Sequence, residues 1–271
     1  RRRLLKRIFA GLILILLTVS AVMYAPPFLF ASAVSIIAAL SISEFNRMVF
    51  KKREAAVDAV SIILAAGVPF IFLYSGGVVV PWLVFSVFLF FVLRLVASID
   101  IAGAVSWAAM RSVSLLYLAV PFSHMVLFLG FYDGKGRHWL LLVFVIVWAN
   151  DTAAYFTGRL IGRRPLSPVI SPKKTVEGAA GGIIGGVIAA FILNKVFSLG
   201  LGIAEGFMLS VILGVISMFG DLVESMIKRD AGVKDSGTLI PGHGGVLDRL
   251  DSLVFTVPAL YYYLLWRNGA F

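Results

Sequence analysis

Cysteine is absent from the 271 residues, and histidine occurs only as His124, His138 and His243. No disulfide, thiolate-ligated metal or cysteine nucleophile is therefore possible, and zinc sites, which are built from Cys and His, are disfavoured. Charge is scarce as well. Only 14% of residues are Asp, Glu, Lys or Arg, against roughly 25% in soluble domains. Instead 60% are hydrophobic and the mean hydropathy is +0.99. A soluble core of that composition would exceed what this length can enclose, so the sequence describes an integral membrane protein. Internal repeats and low-complexity tracts are also missing. The formal charge of +10 does not indicate nucleic acid, because the basic residues lie in short loops between apolar segments. There they act as topology determinants and attract anionic lipid or phosphate.

The chain starts at Arg1 rather than methionine, so a few residues are expected to precede it. "RRRLLKR" followed by "IFAGLILILLTVSAVMYA" has the outline of a signal peptide. Its apolar run is too long for one, and Pro26 and Pro27 follow at once, which predicts a retained first membrane helix. A span needs about 20 apolar residues. Nine segments qualify: roughly 8–25, 28–43, 56–75, 79–98, 105–131, 138–160, 176–197, 204–228 and 250–266. Trp82, Trp139 and Trp266 fall near span ends, where interfacial anchors belong. With the N-terminus placed in the cytoplasm, all but Lys135, Arg137, Lys195 and Arg267 of the 24 Lys and Arg residues lie on the inner side. The expected fold is all-α and polytopic, with an outside C-terminus. Residues 1–130 (about five helices), poor in polar residues within spans, form a scaffold. Residues 131–271 (about four helices) form the catalytic region, with cytoplasmic loops at 160–175 and 229–249. In "VEGAAGGIIGGVIAA", Gly178, Gly182 and Gly186 recur every fourth residue beside Gly181 and Gly185. Small residues so spaced admit close helix approach, within a subunit or between the subunits of a homodimer.

Ionisable groups within spans are costly and mark sites. Asp151 lies inside "VFVIVWANDTAAYFTGR". Asp221 and Glu224 share a helix face by their three-residue spacing, and Asp248 and Asp251 repeat it. Carboxylates suit a hard ion such as Mg²⁺, which completes its shell with water and phosphate; the alternative is internal ion pairing with Lys228, Arg229 and Arg249. Complementary charge comes from the loop "GRRPLSPVISPKKTVEG", whose lysines precede a helix N-terminus suited to phosphate. "PGHGG" before Asp248 is a turn whose backbone N–H groups can face an anion.

Together these residues carry a family signature. The series Ser225-x-x-Lys228-Arg229, Lys234-Asp235-x-Gly237, Pro241-Gly242-His243-Gly244-Gly245 and Asp248-Arg249-x-Asp251 resembles that of phosphatidate cytidylyltransferases (CDP-diacylglycerol synthases). "NDTAAYFTGRLIGRRP" and "SPKKTVEG" extend the resemblance, whereas the N-terminal half matches only in character. It implies CTP and phosphatidate as substrates, Mg²⁺ with room for a second cation, a homodimer, and a cell-membrane enzyme with its active site facing the cytoplasm. Asp221 and Asp248 are then the metal ligands, supported by Glu224 and Asp251. Lys228, Arg229 and Arg249 join them in the catalytic set. His243 orients the loop or a phosphate rather than acting as base. Ser171, Lys173, Lys174, Lys234, Asp235, Gly244 and Gly245 contact substrate. Two roles stay open for Asp151, support of the metal and contact with the cytidine. The rival readings are a CTP-dependent lipid kinase, a cytidylyltransferase for ether or isoprenoid lipids, and a cation transporter. The last would place its acids near mid-bilayer and has no use for a lysine-rich loop.

Overall fold

The computed structural model describes residues 2–97, 101–131, 134–239 and 244–269, with side chains from residue 11 onward. In chain order the elements are α1 (Arg2–Tyr24), α2 (Pro27–Val49), α3 (Ala55–Tyr74), α4 (Val79–Val96), α5 (Ala104–Ser114) and α6 (Val120–Leu127). There follow α7 (Gly136–Ile161), β1 (Pro165–Ser167), β2 (Ser171–Thr175), α8 (Val176–Phe197), α9 (Ile203–Asp230) and α10 (Leu247–Arg267). Among the described residues, seven helical stretches are long and apolar enough to cross a membrane: α2, α3, α4 with its 3₁₀ lead-in, Ala104–Gly130, α7, α8 and α9. The protein is thus an α-helical polytopic membrane protein. Helix α10 is less apolar, having charges at both ends and three consecutive tyrosines. The chain divides into two compact units, neither continuous in sequence. One comprises Ala25–Leu127 with Asp235–Arg249, the other Arg1–Tyr24, Phe128–Lys234 and Leu250–Phe271.

In the unit built on α2–α6, Pro27 occupies the first turn of α2, where its missing N–H costs nothing. The helix buries Ala31, Val34, Ala38, Ile42 and Phe45, a helical stripe. It runs six residues past the expected end at 43, because Glu44, Asn46 and Met48 are buried as well. Pro69 removes a donor from the middle of α3. Nearby, Ser35 Oγ donates to the Ala66 carbonyl (2.8 Å) and Trp82 Nε1 to that of Leu64 (3.1 Å). Trp82, expected at the interface, is used here to tie α4 to α3. A π-helical turn, Leu115–Ala119, joins α5 to α6 within one span.

This unit also holds charges that the sequence reading counted only as inner-side topology determinants. Arg111 is fully buried; its Nη1 donates to Asp58 Oδ1 at 2.6 Å, and its guanidinium lies 4.0 Å from the Phe50 ring centre. Arg53 Nε donates to the other Asp58 oxygen at 2.8 Å. Glu54 accepts from Trp107 Nε1 at 3.0 Å and lies 3.7 Å from Arg94. Clustering of these residues puts the start of α3, the end of α4 and the short helix α5 at one end of the unit.

In the other unit, α7 and α8 are the closest pair. A Cβ on Gly182 would lie 2.9 Å from the Asn150 carbonyl oxygen, and one on Gly178 2.9 Å from that of Ala154. The glycine ladder of α8 is therefore filled by the Ala149–Gly158 face of α7 within the same subunit. Asn150, buried between them, donates to the Gly214 carbonyl of α9 (3.3 Å). Trp139, expected as an interfacial anchor, is instead 1% exposed, with the Arg267 guanidinium over its ring. Stacking on a cation gives the indole a partner that a lipid headgroup would otherwise supply. Trp266 is 69% exposed, as an anchor should be. Exposed Phe85, Phe88 and Phe91 on α4 form a lipid-facing surface.

Removing one member of a buried ion pair strands the other. Arg111→Met is expected to lower stability in detergent by about 3–5 kcal/mol. The double variant Asp58→Asn/Arg111→Met should lose less than the sum of the two single variants, measured by denaturant unfolding. Additive losses would show that the two side chains act separately.

Candidate active site

The C-terminal half of α9 carries most of the acids. A helix starting at Ile203 turns Asp221, Glu224, Ser225 and Lys228 onto neighbouring positions. Glu224 is fully buried and forms an ion pair with Lys228 one turn on, itself nearly buried. Asp221, about one-third exposed, is paired with Lys174 of β2. Asp251 of α10 comes close because Gly220 has no side chain. A Cβ there would lie 2.9 Å from the Asp251 carbonyl oxygen and 3.1 Å from Ser252 Cα, so the two backbones touch. Asp251 accordingly sits in the negative field of Asp221, Glu224 and Asp151. Asp151 lies within the apolar helix α7, on its exposed surface.

The basic loop forms the antiparallel hairpin β1–β2, with Pro165 opposite Thr175 and Ser167 opposite Ser171. Its base is tied down by two acceptors. Thr175 Oγ1 accepts from Gly178 N (3.1 Å), capping α8. The Glu177 carboxylate accepts from the backbone N–H groups of Arg163 (2.9 Å) and Arg164 (3.2 Å). Donors expected to face a phosphate at this helix start are thus partly engaged by the protein itself. Lys173 is exposed and Ser171 half-buried. Arg229 donates to the carbonyls of Ile170 (3.4 Å) and Val233 (3.0 Å), joining the hairpin turn to the end of α9. That end is closed by Gly232 in the left-handed region (φ +73°).

The unit built on α2–α6 holds the signature from Asp235 to Arg249. Asp248 Oδ2 accepts from Ser236 N (2.9 Å), Ser236 Oγ (2.9 Å) and Gly245 N (2.8 Å). Gly244, at φ +85°, brings its backbone so near that a Cβ would lie 2.6 Å from the same oxygen. The Gly245 N–H, expected to face an anion, is therefore directed at Asp248. Lys234, Asp235 and Arg249 are exposed, and His243 lies outside the described residues. Residue-type reasoning missed Glu44. Buried at the end of α2, it accepts from Val246 N and Leu247 N (both 2.9 Å) and lies 3.1 Å from Ser236 Oγ. Its signal was an acid among apolar neighbours, hidden because the span was ended at residue 43.

As a metal site the donor chemistry is suitable. The unit containing α9 sets four carboxylates, Asp151, Asp221, Glu224 and Asp251, against two paired lysines, Lys174 and Lys228. This surplus of hard oxygen donors over lysines suits a divalent cation. Among the described residues, no three acids or histidines are gathered tightly enough to hold an ion as they stand.

The sequence model of the cytidylyltransferase family matches residues 5–266. The phosphatidate cytidylyltransferase of Haemophilus influenzae is 36% identical over 289 residues, covering 95% of this chain and 97% of that protein. That of Bacillus subtilis is 45% identical over 132 residues, 49% of each chain. That of Staphylococcus saprophyticus is 41% identical over 160 residues, which is 58% of this chain and 59% of the relative, so this match spans less than two thirds of its length. A match from one end to nearly the other, together with a second across a full-length relative, settles the lineage: the chain belongs to the cytidylyltransferase family.

Proposed function

We propose that the protein is a phosphatidate cytidylyltransferase that converts CTP and phosphatidate to CDP-diacylglycerol and pyrophosphate. The observation that carries this reading is the likeness to the Haemophilus phosphatidate cytidylyltransferase over 97% of its length. The paired acids and lysines of α9 and β2 suit the chemistry. A phosphatidate oxygen attacks the α-phosphorus of CTP; the new O–P bond forms as the bond to the β-phosphate oxygen breaks, and pyrophosphate leaves. The nucleophile is already anionic, so no proton has to be removed. What must be overcome is repulsion between polyanions, by positioning and charge neutralisation. Mg²⁺, as one ion or two held by Asp221 and Asp248 with Glu224 and Asp251 in support, would supply that neutralisation. Lys174 and Lys228 are held near their acids and become phosphate partners, aided by Lys173, Arg229, Lys234 and Arg249. Asp151 is available to the metal or to the cytidine.

The same reading includes nine spans with the N-terminus and the site in the cytoplasm, and the C-terminus outside. Two groupings support it. Within one unit the ends of α3, α4 and α5 that carry basic residues cluster, and within the other the hairpin packs beside the end of α9. A homodimer belongs to the proposal, but with an interface other than the α8 glycine face, which α7 fills.

With purified protein, label in the cytosine of CTP should move to lipid only when phosphatidate and Mg²⁺ are both present; transfer of the γ-phosphate alone would identify a lipid kinase instead. Asp221→Asn and Asp248→Asn should each lower kcat on the order of 10²-fold or more, the several kcal/mol a catalytic metal supplies, while the protein stays folded. Near-normal turnover of either at low Mg²⁺ would remove that residue from the metal site. Because the lysines now pair with acids, metal and nucleotide should bind cooperatively, the cation taking the carboxylates as the phosphates take the lysines. The thermal shift from Mg²⁺ plus CTP should exceed the sum of the separate shifts; simple addition would refute the exchange. Finally, a single cysteine replacing Lys173 should react with a membrane-impermeant reagent only after permeabilisation. Labelling of intact cells would reverse the topology.

A further inference from the structure

The carboxylate of Glu44 fills a place that, in a soluble protein, a local side-chain cap or water would take. Both its oxygens are engaged: Oε1 accepts from Val246 N and Oε2 from Leu247 N, each at 2.9 Å, so one acid of α2 caps the first turn of α10. Ser236 Oγ lies 3.1 Å from Glu44 Oε2 and 2.9 Å from Asp248 Oδ2. Its single proton serves one of the two acids at a time, and the hydroxyl links them. The loop is built around this arrangement. A Cβ on Gly237 would lie 2.7 Å from Glu44 Oε1, and one on Gly245 would overlap both Glu44 Oε2 and Ser236 Oγ. Two glycines of the signature are therefore required by the approach of Glu44. Gly245 in turn donates its N–H to Asp248 at 2.8 Å. Ser236 and Gly245, which both donate to Asp248 Oδ2, lie against Glu44 as well.

We infer that Glu44 is a positioning residue for the cytidylyl transfer. From the end of α2 it holds Ser236 and the Gly245–Leu247 backbone where they aim the Asp248 carboxylate. It acts through Ser236 and the Gly245–Leu247 backbone and contacts neither substrate nor metal. This inference rests on the assignment of Asp248 to Mg²⁺ made above. Because it is an outer partner of a ligand, its loss should change metal affinity or activity by about 10- to 100-fold, not only stability.

The test uses the full chain in detergent and the variants Glu44→Gln, Ser236→Ala, their combination, and Asp248→Asn. The readouts are kcat and the Mg²⁺ concentration for half-maximal turnover at saturating CTP. Leu239→Cys, the only thiol in the chain, reports loop exposure by its rate of labelling; Leu239 is 56% exposed. Glu44→Gln keeps the shape of the side chain but places an amide donor against a backbone N–H or the Ser236 hydroxyl. It should raise the Mg²⁺ requirement about tenfold or more and accelerate labelling at residue 239. The double variant should lose little more than Glu44→Gln alone, because both changes cut the same link. Should Glu44→Gln fail to fold, Ser236→Ala carries the test, since it removes the shared hydroxyl and leaves both backbone bonds to Glu44. An unchanged Mg²⁺ requirement in the folded variants, or losses that multiply, overturns the inference. If Asp248→Asn is inactive while Glu44→Gln and Ser236→Ala retain normal Mg²⁺ dependence, this inference alone fails. If Asp248→Asn itself has normal Mg²⁺ dependence, the metal assignment fails and takes this inference with it.

Discussion

A carboxylate removed from water must be given a cation or N–H donors, or it will not stay ionised. That constraint organises this protein. Glu224 meets it within its own helix, through Lys228 one turn on. Asp58 meets it across helices, through Arg111 and Arg53. Glu44 meets it by taking two backbone N–H groups from the start of α10. The three solutions have different structural reach. A pair along one helix links two turns of that helix. A pair across helices sets which ends of α3, α4 and α5 lie together. A carboxylate on backbone donors ties α2 to residues more than 190 positions away in sequence, the separation of Glu44 and Ser236 being 192.

Glycine is the second half of the same design. At the α7–α8 contact, missing side chains let two backbones approach, which yields packing in a lipid setting where apolar burial offers little drive. At Gly220 the same device serves chemistry, since the touching backbones of α9 and α10 bring Asp251 into the field of Asp221 and Glu224. At Gly237, Gly244 and Gly245 it lets carboxylates, rather than other helices, reach the main chain. Identical residue types thus perform packing, assembly of charge and loop anchoring. The distinction lies in what stands opposite each glycine, which sequence spacing does not state.

That limit explains what could and could not be read beforehand. Helix α8 was legible to the residue, expected at 176–197 and found as Val176–Phe197, because Thr175 caps one end and polar Asn194 and Lys195 mark the other. The signature acids on α9 and α10 were legible because charge inside apolar helices is rare. The β1–β2 hairpin was not, since Pro165 and Pro172 suggest a loop and the pairing is only a few residues long. Arg94 and Arg111 were counted with the inner-side basic residues, because a linear sequence shows which side a charge falls on but not that Arg111 is buried. Glu44 was missed for a related reason. Its neighbours Ser41, Ser43, Asn46 and Arg47 ended the apolar run on paper, whereas in three dimensions those positions are still helix.

On the proposed reading, these features explain why a reaction between two polyanions can be placed at a membrane edge with so few ionisable groups. Phosphate oxygens bring their own nucleophilic charge, so the protein has no need of a buried base with a shifted proton affinity. It needs only cations in fixed places and acids to hold them there before substrate arrives. A lysine alone in this setting would be as costly as an acid alone. Pairing Lys174 with Asp221 and Lys228 with Glu224 keeps both signs available at low cost. The excess of carboxylates over lysines then becomes an advantage, because it is discharged only when a metal brings the missing positive charge along with the nucleotide. The composition that looked like a deficit, with scarce charge and no cysteine, is what this chemistry requires.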